Sequence, residues 1–508
     1  MATQLDTFRA WSGTLADLDG AMALLNWDRD TTMPPSGADT RAHQVATLAA
    51  LYHRELTRPE ITDVLEVIAG NATLDPPVRR LAELLERERA RAVRLPEALV
   101  QEISQAESES TVAWTAAREQ SDWNALRGPL RRLVALKRRE AEAISDDDQV
   151  YDALLDGYEP GAQAATLAPV FANLSARLAP LVAEGSNRPT AWLPDRYWPR
   201  EPQLRLAREL AGLIGFNLED GCVGVSAHPF SSSSGQGDVR FSTRINERNP
   251  ISNILTVLHE AGHAMYEQGF SPEFARTALS DAPSLGAHES QARFWENHVG
   301  GTLEFWQLLE PRLHALFPDA MRGLSAEDFF AATSTVRPSF IRVEADEITY
   351  NLHIILRFEL EVALISGHVD VDDLPEIWDA KMQALLGITP PSVLEGVMQD
   401  VHWPEGMFGY FPTYTLGNLY AAQLAEAADT SLGGLEATIA RGQFGDILGF
   451  MRERVHQHGA LYPTAELMYR ATGSVLSADP LIAHLERRLM PSIDAGARAD
   501  SPRHVPNA

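Results

Sequence analysis

Apolar residues recur every three to four positions through most of the first two hundred residues, the spacing of helices with one face turned inward. Leu167, Val170, Phe171, Leu174, Leu178 and Leu181 form one such stripe, and Leu130, Leu133 and Val134 begin another after a break at Gly128-Pro129. The stretch Trp27-Asp28-Arg29-Asp30-Thr31-Thr32-Met33-Pro34-Pro35 interrupts the pattern and reads as a helix-ending turn. Charged runs at 86–91 and 137–142 read as solvated helix faces. Beyond Cys222 the period changes. A run of small residues at 231–237 suits a mobile loop, and residues 238–245 then alternate apolar and polar as a half-exposed strand does. Its free edge would either pair with an extended peptide or be protected by its charges.

Helices return at Asn249, which can cap a helix start, with Pro250 in the first turn and Gly269 as a left-handed terminator. Ser325 with Asp328 marks another start. A long helix is expected over 339–366, ended by Gly367. On it Arg342, Asp346, Tyr350 and His353 form a polar stripe at steps of four, four and three, and such a stripe on an apolar helix must face water or a cleft. A glycine- and aromatic-rich turn follows at 406–414, and the tail at 493–508 has the composition of a disordered segment.

The chemistry sits in the 249–269 helix, which contains His259-Glu260-Ala261-Gly262-His263. A spacing of four places both imidazoles on one helical face, with Cβ atoms roughly 5–6 Å apart, close enough to share one zinc ion. Glu260, about 100° round the helix, is placed to take a proton from a water that the metal activates. The flanking Thr256, Val257, Leu258, Ala261, Gly262, Ala264 and Met265 are uncharged, so the helix is buried around most of its circumference. Two histidines and a carboxylate there are costly unless they bind something. Tyr266 and Gly269 stand where a metzincin has glycine and histidine, so the third ligand must be a later carboxylate. Glu289 is the first choice, with Glu296 and Glu273 as alternatives; Glu267 is too close along the same helix.

Composition narrows the partners. The 508 residues are 45% hydrophobic and 22% charged, and the net charge of −27 argues against nucleic acid and anionic membrane. No stretch is expected to reach the roughly 18–20 apolar residues of a membrane span. The start lacks a basic region followed by an apolar core, and Cys222 is the sole cysteine, which excludes intramolecular disulfides and makes the cytoplasm the default compartment. No linker or repeat divides the chain. The expected organisation is one domain over 1–492, with a helical part to about 220, a zinc-site part over about 221–425 and a helical part over about 426–492.

Six dispersed motifs resemble the carboxypeptidase Taq family of metallocarboxypeptidases. They are His228-Pro229-Phe230, Asp238-x-Arg240-x-x-Thr243, HEAGH at 259–263, HESQA at 288–292, Ile341-Arg342-x-x-Ala345-Asp346 and Gly396-x-x-Gln399-Asp400-x-His402-Trp403. The early WDRDTTMPP and the segment at 151–161 are similar too. Ser242 falls where the family's threonine sits, and Ala292 where it usually has serine. The resemblance implies a mainly α zincin body, a small β-sheet flanking a deep substrate groove, and a homodimer. It implies zinc, or sometimes cobalt, held by His259, His263 and Glu289, with Glu260 as general base. It also implies release of single residues from peptide C-termini with broad side-chain tolerance. A zinc endo-oligopeptidase is the rival within enzymes, and a non-catalytic peptide-binding protein the rival outside them. Tyr410 or Tyr414 would steady the oxyanion. Arg342, held by Asp346, would pair with the substrate's terminal carboxylate, with Arg240 and Arg337 in reserve and His402 as a further substrate-binding candidate.

Overall fold

The computed structural model describes residues 2–145 and 149–489, so the expected tail at 493–508 lies outside the described residues. Helices make up most of the chain, with a three-stranded sheet among the described residues. Two compact units emerge, each assembled from three separated segments. The first takes its described residues from Met1–Leu95, Asp195–Gly323 and Leu424–Val475, the second from Pro96–Pro194, Leu324–Gln423 and Leu476–Ala508.

In the first unit the helix Ala2–Thr31 buries Phe8, Trp11 and Leu15 with Ile61, Leu65, Ile68, Leu81, Leu85 and Phe274. It continues through Trp27, whose ring packs on Phe230 at 5.2 Å, and stops only at Thr31, just before Pro34-Pro35. The sheet comprises β1 (Gly221–Val225), β2 (Ser231–Ser233) and β3 (Val239–Thr243), ordered β1-β3-β2. β1 runs parallel to β3 and β2 antiparallel to it. Two expectations change here. β3 is the central strand and has no free edge, and part of the small-residue run is itself the strand β2. Both follow from pairing that local alternation does not encode.

The helix Pro250–Glu267 packs on β3 and is buried almost all round. Asn249 Oδ1 accepts a hydrogen bond from the Ser252 N–H at 3.4 Å, as a cap should. Gly269 does not turn left-handed. Its role is close approach, since a Cβ there would lie 2.6 Å from the His456 side chain.

In the second unit the helix Trp123–Ile144 runs straight through Gly128-Pro129. The buried face of Leu126, Leu130, Leu133 and Val134 outweighs the one backbone hydrogen bond that Pro129 removes. Lys137 is buried and paired with Glu140, so 137–142 is not wholly a solvated face. Ala164–Ser186 has the length and mean hydropathy, 1.3, of a membrane span, which the sequence reading did not expect of any stretch. In this fold it lies against the helix Glu347–Ile365 and buries Leu167, Phe171, Leu174 and Leu178. The expected long helix begins at Glu347, not near 339. Asp346 is its N-cap, accepting from the Ile348 and Thr349 N–H groups at 3.0 Å each, and Arg342–Glu344 is a separate 3-10 turn. Asp346 bonds the backbone more favourably as a cap than inside a helix. Gly367, at φ 78°, lies just past the helix end as expected.

Candidate metal centre and a buried arginine pair

His259 and His263 project from one face of Pro250–Glu267, and Glu289 comes from the helix Leu285–Arg293. Glu289 Oε2 lies 3.6 Å from His263 Nε2 and 3.9 Å from His259 Nε2. Among the described residues these three form the group whose ligand atoms gather within 4.8 Å of one another. A tetrahedral ion with arms of about 2.0–2.1 Å has donor–donor edges of about 3.3–3.4 Å, so the set fits a divalent metal with small side-chain adjustments.

The two helices meet where side chains are smallest. A Cβ on Gly262 would lie 2.8 Å from Ala292 Cα and 2.8 Å from the Gln291 carbonyl oxygen. Glycine therefore sets the helix separation, and with it the distance between the imidazoles and Glu289. The alternative ligand Glu296 has a different place. It sits on the π-helical turn Phe294–Val299, where its Oε2 accepts from His259 Nδ1 at 2.8 Å, so that Nε2 is the nitrogen left to ligate once a metal displaces its proton. Arg293 donates to Glu289 Oε1 at 2.7 Å and to Glu296 Oε2 at 3.2 Å. Sequence reasoning missed Arg293; its position four residues after Glu289 was the available signal. Glu273 is exposed on a 3-10 turn outside the cluster, and Glu267 accepts from His288 Nε2 at 2.8 Å.

Burial acts on all four groups, and neighbouring charges decide whether it prevails. It raises the Glu260 carboxyl to about 7. It lowers His263 to about 3, helped by neighbouring His288. For His259 burial is outweighed by the carboxylates of Glu289 and Glu296, which raise it to about 9. Burial is likewise outweighed at Glu289, where Arg293 and His259 keep the carboxyl well below its ordinary value. Where the strand motif departs from its expected spacing, Ser242 Oγ accepts from the Phe230 N–H at 3.1 Å, and the Thr243 hydroxyl donates to Asn253 Oδ1 at 2.7 Å. Both tie β3 to its surroundings.

The remaining candidates belong to the second unit. Arg342 is buried, and Asp400 rather than Asp346 holds it. Asp400 Oδ1 accepts from Arg342 Nε at 3.0 Å and Nη2 at 2.8 Å, and Asp400 Oδ2 accepts from Arg357 Nε at 2.7 Å. Arg342 Nη1 donates to the Tyr350 hydroxyl at 3.1 Å, and its guanidinium lies 5.1 Å from the Tyr414 ring centre. His402 Nε2 is 3.2 Å from the Tyr414 hydroxyl, and the Tyr410 ring lies 5.3 Å from His402. Burial lowers His353 to about 3 and His402 to about 4, so both are neutral at pH 7. Sequence reasoning also missed Arg357, fully buried on the helix Glu347–Ile365, although an arginine set directly between Ile354-Ile355-Leu356 and Phe358 is itself a signal. Of the reserve residues, Arg240 forms a two-bonded pair with Asp238, and exposed Arg337 stacks on Trp192 at 4.8 Å.

Two imidazoles from one helical turn, a glutamate from the next helix and a raised carboxyl beside them define a metallohydrolase of the HExxH class. A family model described as carboxypeptidase Taq (M32) metallopeptidase matches residues 7–489. Thermostable carboxypeptidase 1 of Thermus thermophilus is 44% identical over 483 residues, covering 92% of this chain and 94% of its own. Carboxypeptidase 1 of Bacillus subtilis is 35% identical over 472 residues, with 92% and 94% covered. The crystal structure of a carboxypeptidase of the same family from Deinococcus radiodurans superposes with a TM-score of 0.93 at 35% identity, covering 97% of this chain and 100% of that one. The chain belongs to the carboxypeptidase Taq family and is a metallocarboxypeptidase.

Proposed function

We propose that the chain holds one zinc ion on His259, His263 and Glu289 and removes single residues from the carboxyl ends of varied peptides. The observation that carries this is the convergence of Glu289 Oε2 on both Nε2 atoms at 3.6 and 3.9 Å. When bound, the ion would polarise the scissile carbonyl and bring the pKa of a water towards about 7. Glu260 takes a proton from the attacking water and returns it to the leaving amine as the C–N bond breaks. A phenol, Tyr410 or Tyr414, donates to the developing oxyanion. Cobalt would fit the same donors.

Arg342 is the group assigned to the substrate's terminal carboxylate. Its support is a charge imbalance: Arg342 and Arg357 share the single carboxylate of Asp400, while His353 and His402 are neutral. One positive charge is left over in a buried cluster, which suits an anionic ligand. Broad tolerance, a homodimer and a cytoplasmic setting complete the reading, the first two from the family likeness and the last from the single cysteine.

Metal analysis and a peptide digest read by mass spectrometry test it. About one zinc per chain is expected, lost in Glu289→Ala. Arg342→Lys should raise KM while metal content stays at the wild-type level. Amidating a substrate's C-terminus should slow the wild type far more than this variant, and equal cleavage of acid and amide by the wild type would sink the Arg342 assignment.

A further inference from the structure

A cavity of about 870 Å³ opens within the first unit between Ala2–Thr31, the turn at 233–236, the end of the metal-site helix and the segment at 275–281. Its wall is acidic. Arg276 is its one basic lining residue and is already committed to Asp17, donating at 2.9 and 2.6 Å. Asp19, Glu88 and Asp281 have no basic partner among the lining residues, while Glu267 is paired with His288, which does not itself line the cavity. Tyr52 donates to Glu88 at 2.7 Å.

Two further groups point to a missing donor. Glu267 gives one oxygen to His288, but its buried Oε2 has no hydrogen-bond partner among the described residues. Ser12, 2% exposed, lines the same cavity with a buried hydroxyl that also lacks one. These carboxylates do not converge as ligands of a metal ion would, since the one such gathering among the described residues is His259, His263 and Glu289. Dispersed negative charge around a recess of this size suits an organic cation. Desolvation raises Asp19 and Glu88, and raises Asp281 to about 6. One lining residue links the cavity to the metal centre indirectly: Glu267 bonds His288, which stacks on the His263 ring at 4.3 Å.

We infer that this recess holds the cationic part of a peptide substrate, its protonated α-amino group or a basic side chain near it. The inference rests on the exopeptidase reading above. It gives the enzyme a preference for peptides that carry positive charge away from the bond being cut.

Three hexapeptides of otherwise identical neutral sequence test it: one with a free N-terminus, one acetylated, and one acetylated with lysine in first place. Binding is measured by calorimetry on the full metal-loaded chain carrying Glu260→Gln, and kcat/KM on the chain with Glu260 intact. At least one cationic peptide should bind about fivefold more tightly than the neutral one, as a partly screened charge pair allows. That ratio should fall towards one in Asp19→Asn/Asp281→Asn and in about 0.5 M salt. Preference for the free N-terminus alone identifies the α-amine, and preference for lysine alone identifies the side chain. Equal binding of all three, or a preference undiminished in the double variant, overturns the inference. If no peptide is hydrolysed the exopeptidase reading fails, while the binding ratios still decide the recess. Retention of bound metal and of the wild-type melting temperature shows that the double variant is folded.

Discussion

Replacing Asp400 with asparagine tests the ion cluster of the second unit directly. Asp400 Oδ1 receives both Nε and Nη2 of Arg342, and Oδ2 receives Arg357 Nε at 2.7 Å with Nη2 at 2.6 Å. Arg357 is fully buried, and its guanidinium also lies 4.6 Å from the Trp378 ring centre. Asparagine keeps the shape and one acceptor but leaves two guanidiniums facing each other with no anion. A unit-charge pair at about 4 Å is worth about 4 kcal/mol at an effective dielectric of 20. Two such attractions are lost, offset by the desolvation that Asp400 no longer suffers. Breaking a buried pair on one side costs about 3–5 kcal/mol in measured cases, and about 4 kcal/mol is expected here. Urea unfolding, together with hydrogen exchange in the amides of Glu347–Ile365, would read it. A loss below about 1 kcal/mol, no larger than for an exposed carboxylate, would refute the reasoning. The pH dependence supplies a second check. Burial opposes ionisation of Asp400, but the two arginines hold its pKa far below the ordinary carboxylate value. A depressed folded pKa gives stability that is present above the unfolded value of about 3.9 and lost as pH falls below it. Asp400→Asn should lose that part of the acid dependence.

Glu260→Gln should retain metal and fold while losing about 10²–10⁴-fold in kcat, and a loss under tenfold would move the base elsewhere. Gly262→Ala should destabilise by about 1–3 kcal/mol through overpacking against Ala292 and Gln291, more than the gain of up to about 1 kcal/mol in helix propensity. It should also weaken metal affinity in a chelator competition, whereas unchanged affinity would deny that this contact spaces the ligands. Desolvation in the recess raises the folded pKa of Asp281, a side chain still exposed to water, to about 6 from 3.8, so its ionisation costs stability as pH rises from about 4 to about 6. Thermal melts of Asp281→Asn and wild type should therefore diverge in the variant's favour across that window, by less than about 1 kcal/mol given screening by water in the recess.

What the sequence disclosed depended on how far apart the interacting residues lie. The His259–His263 pair, the Asn249 cap and the Ser325–Asp328 box are each settled within one or two helical turns, and the fold keeps all three. The period near four of its polar neighbours places Arg342 on a helix, but Asp346 caps the helix one turn later and isolates it. Its partner Asp400 lies 58 residues away and Arg357 a further 43 from Asp400, separations that periodicity cannot bridge. The central position of β3 likewise depends on β1, whose pairing is parallel and non-local. Gly269 shows the same limit at a single residue: its reason is the side chain of His456, not its own φ.

That last contact orders events in time. The first unit needs Leu424–Val475 as well as its earlier segments, and within the late segment His456 both fills the space beside Gly269 and bonds Gln291 Oε1 at 3.0 Å. During synthesis at about 5–20 residues per second, the 193 residues from 263 to 456 take about 10–40 s to emerge. Through that interval the metal-site helix is outside the ribosome without the residue that closes its C-terminal end. Contacts of such sequence separation also slow refolding from denaturant. Truncation before residue 456 would therefore leave the HEAGH helix translated but its supporting core unfinished, and completion of this catalytic centre is a late event in the life of the chain.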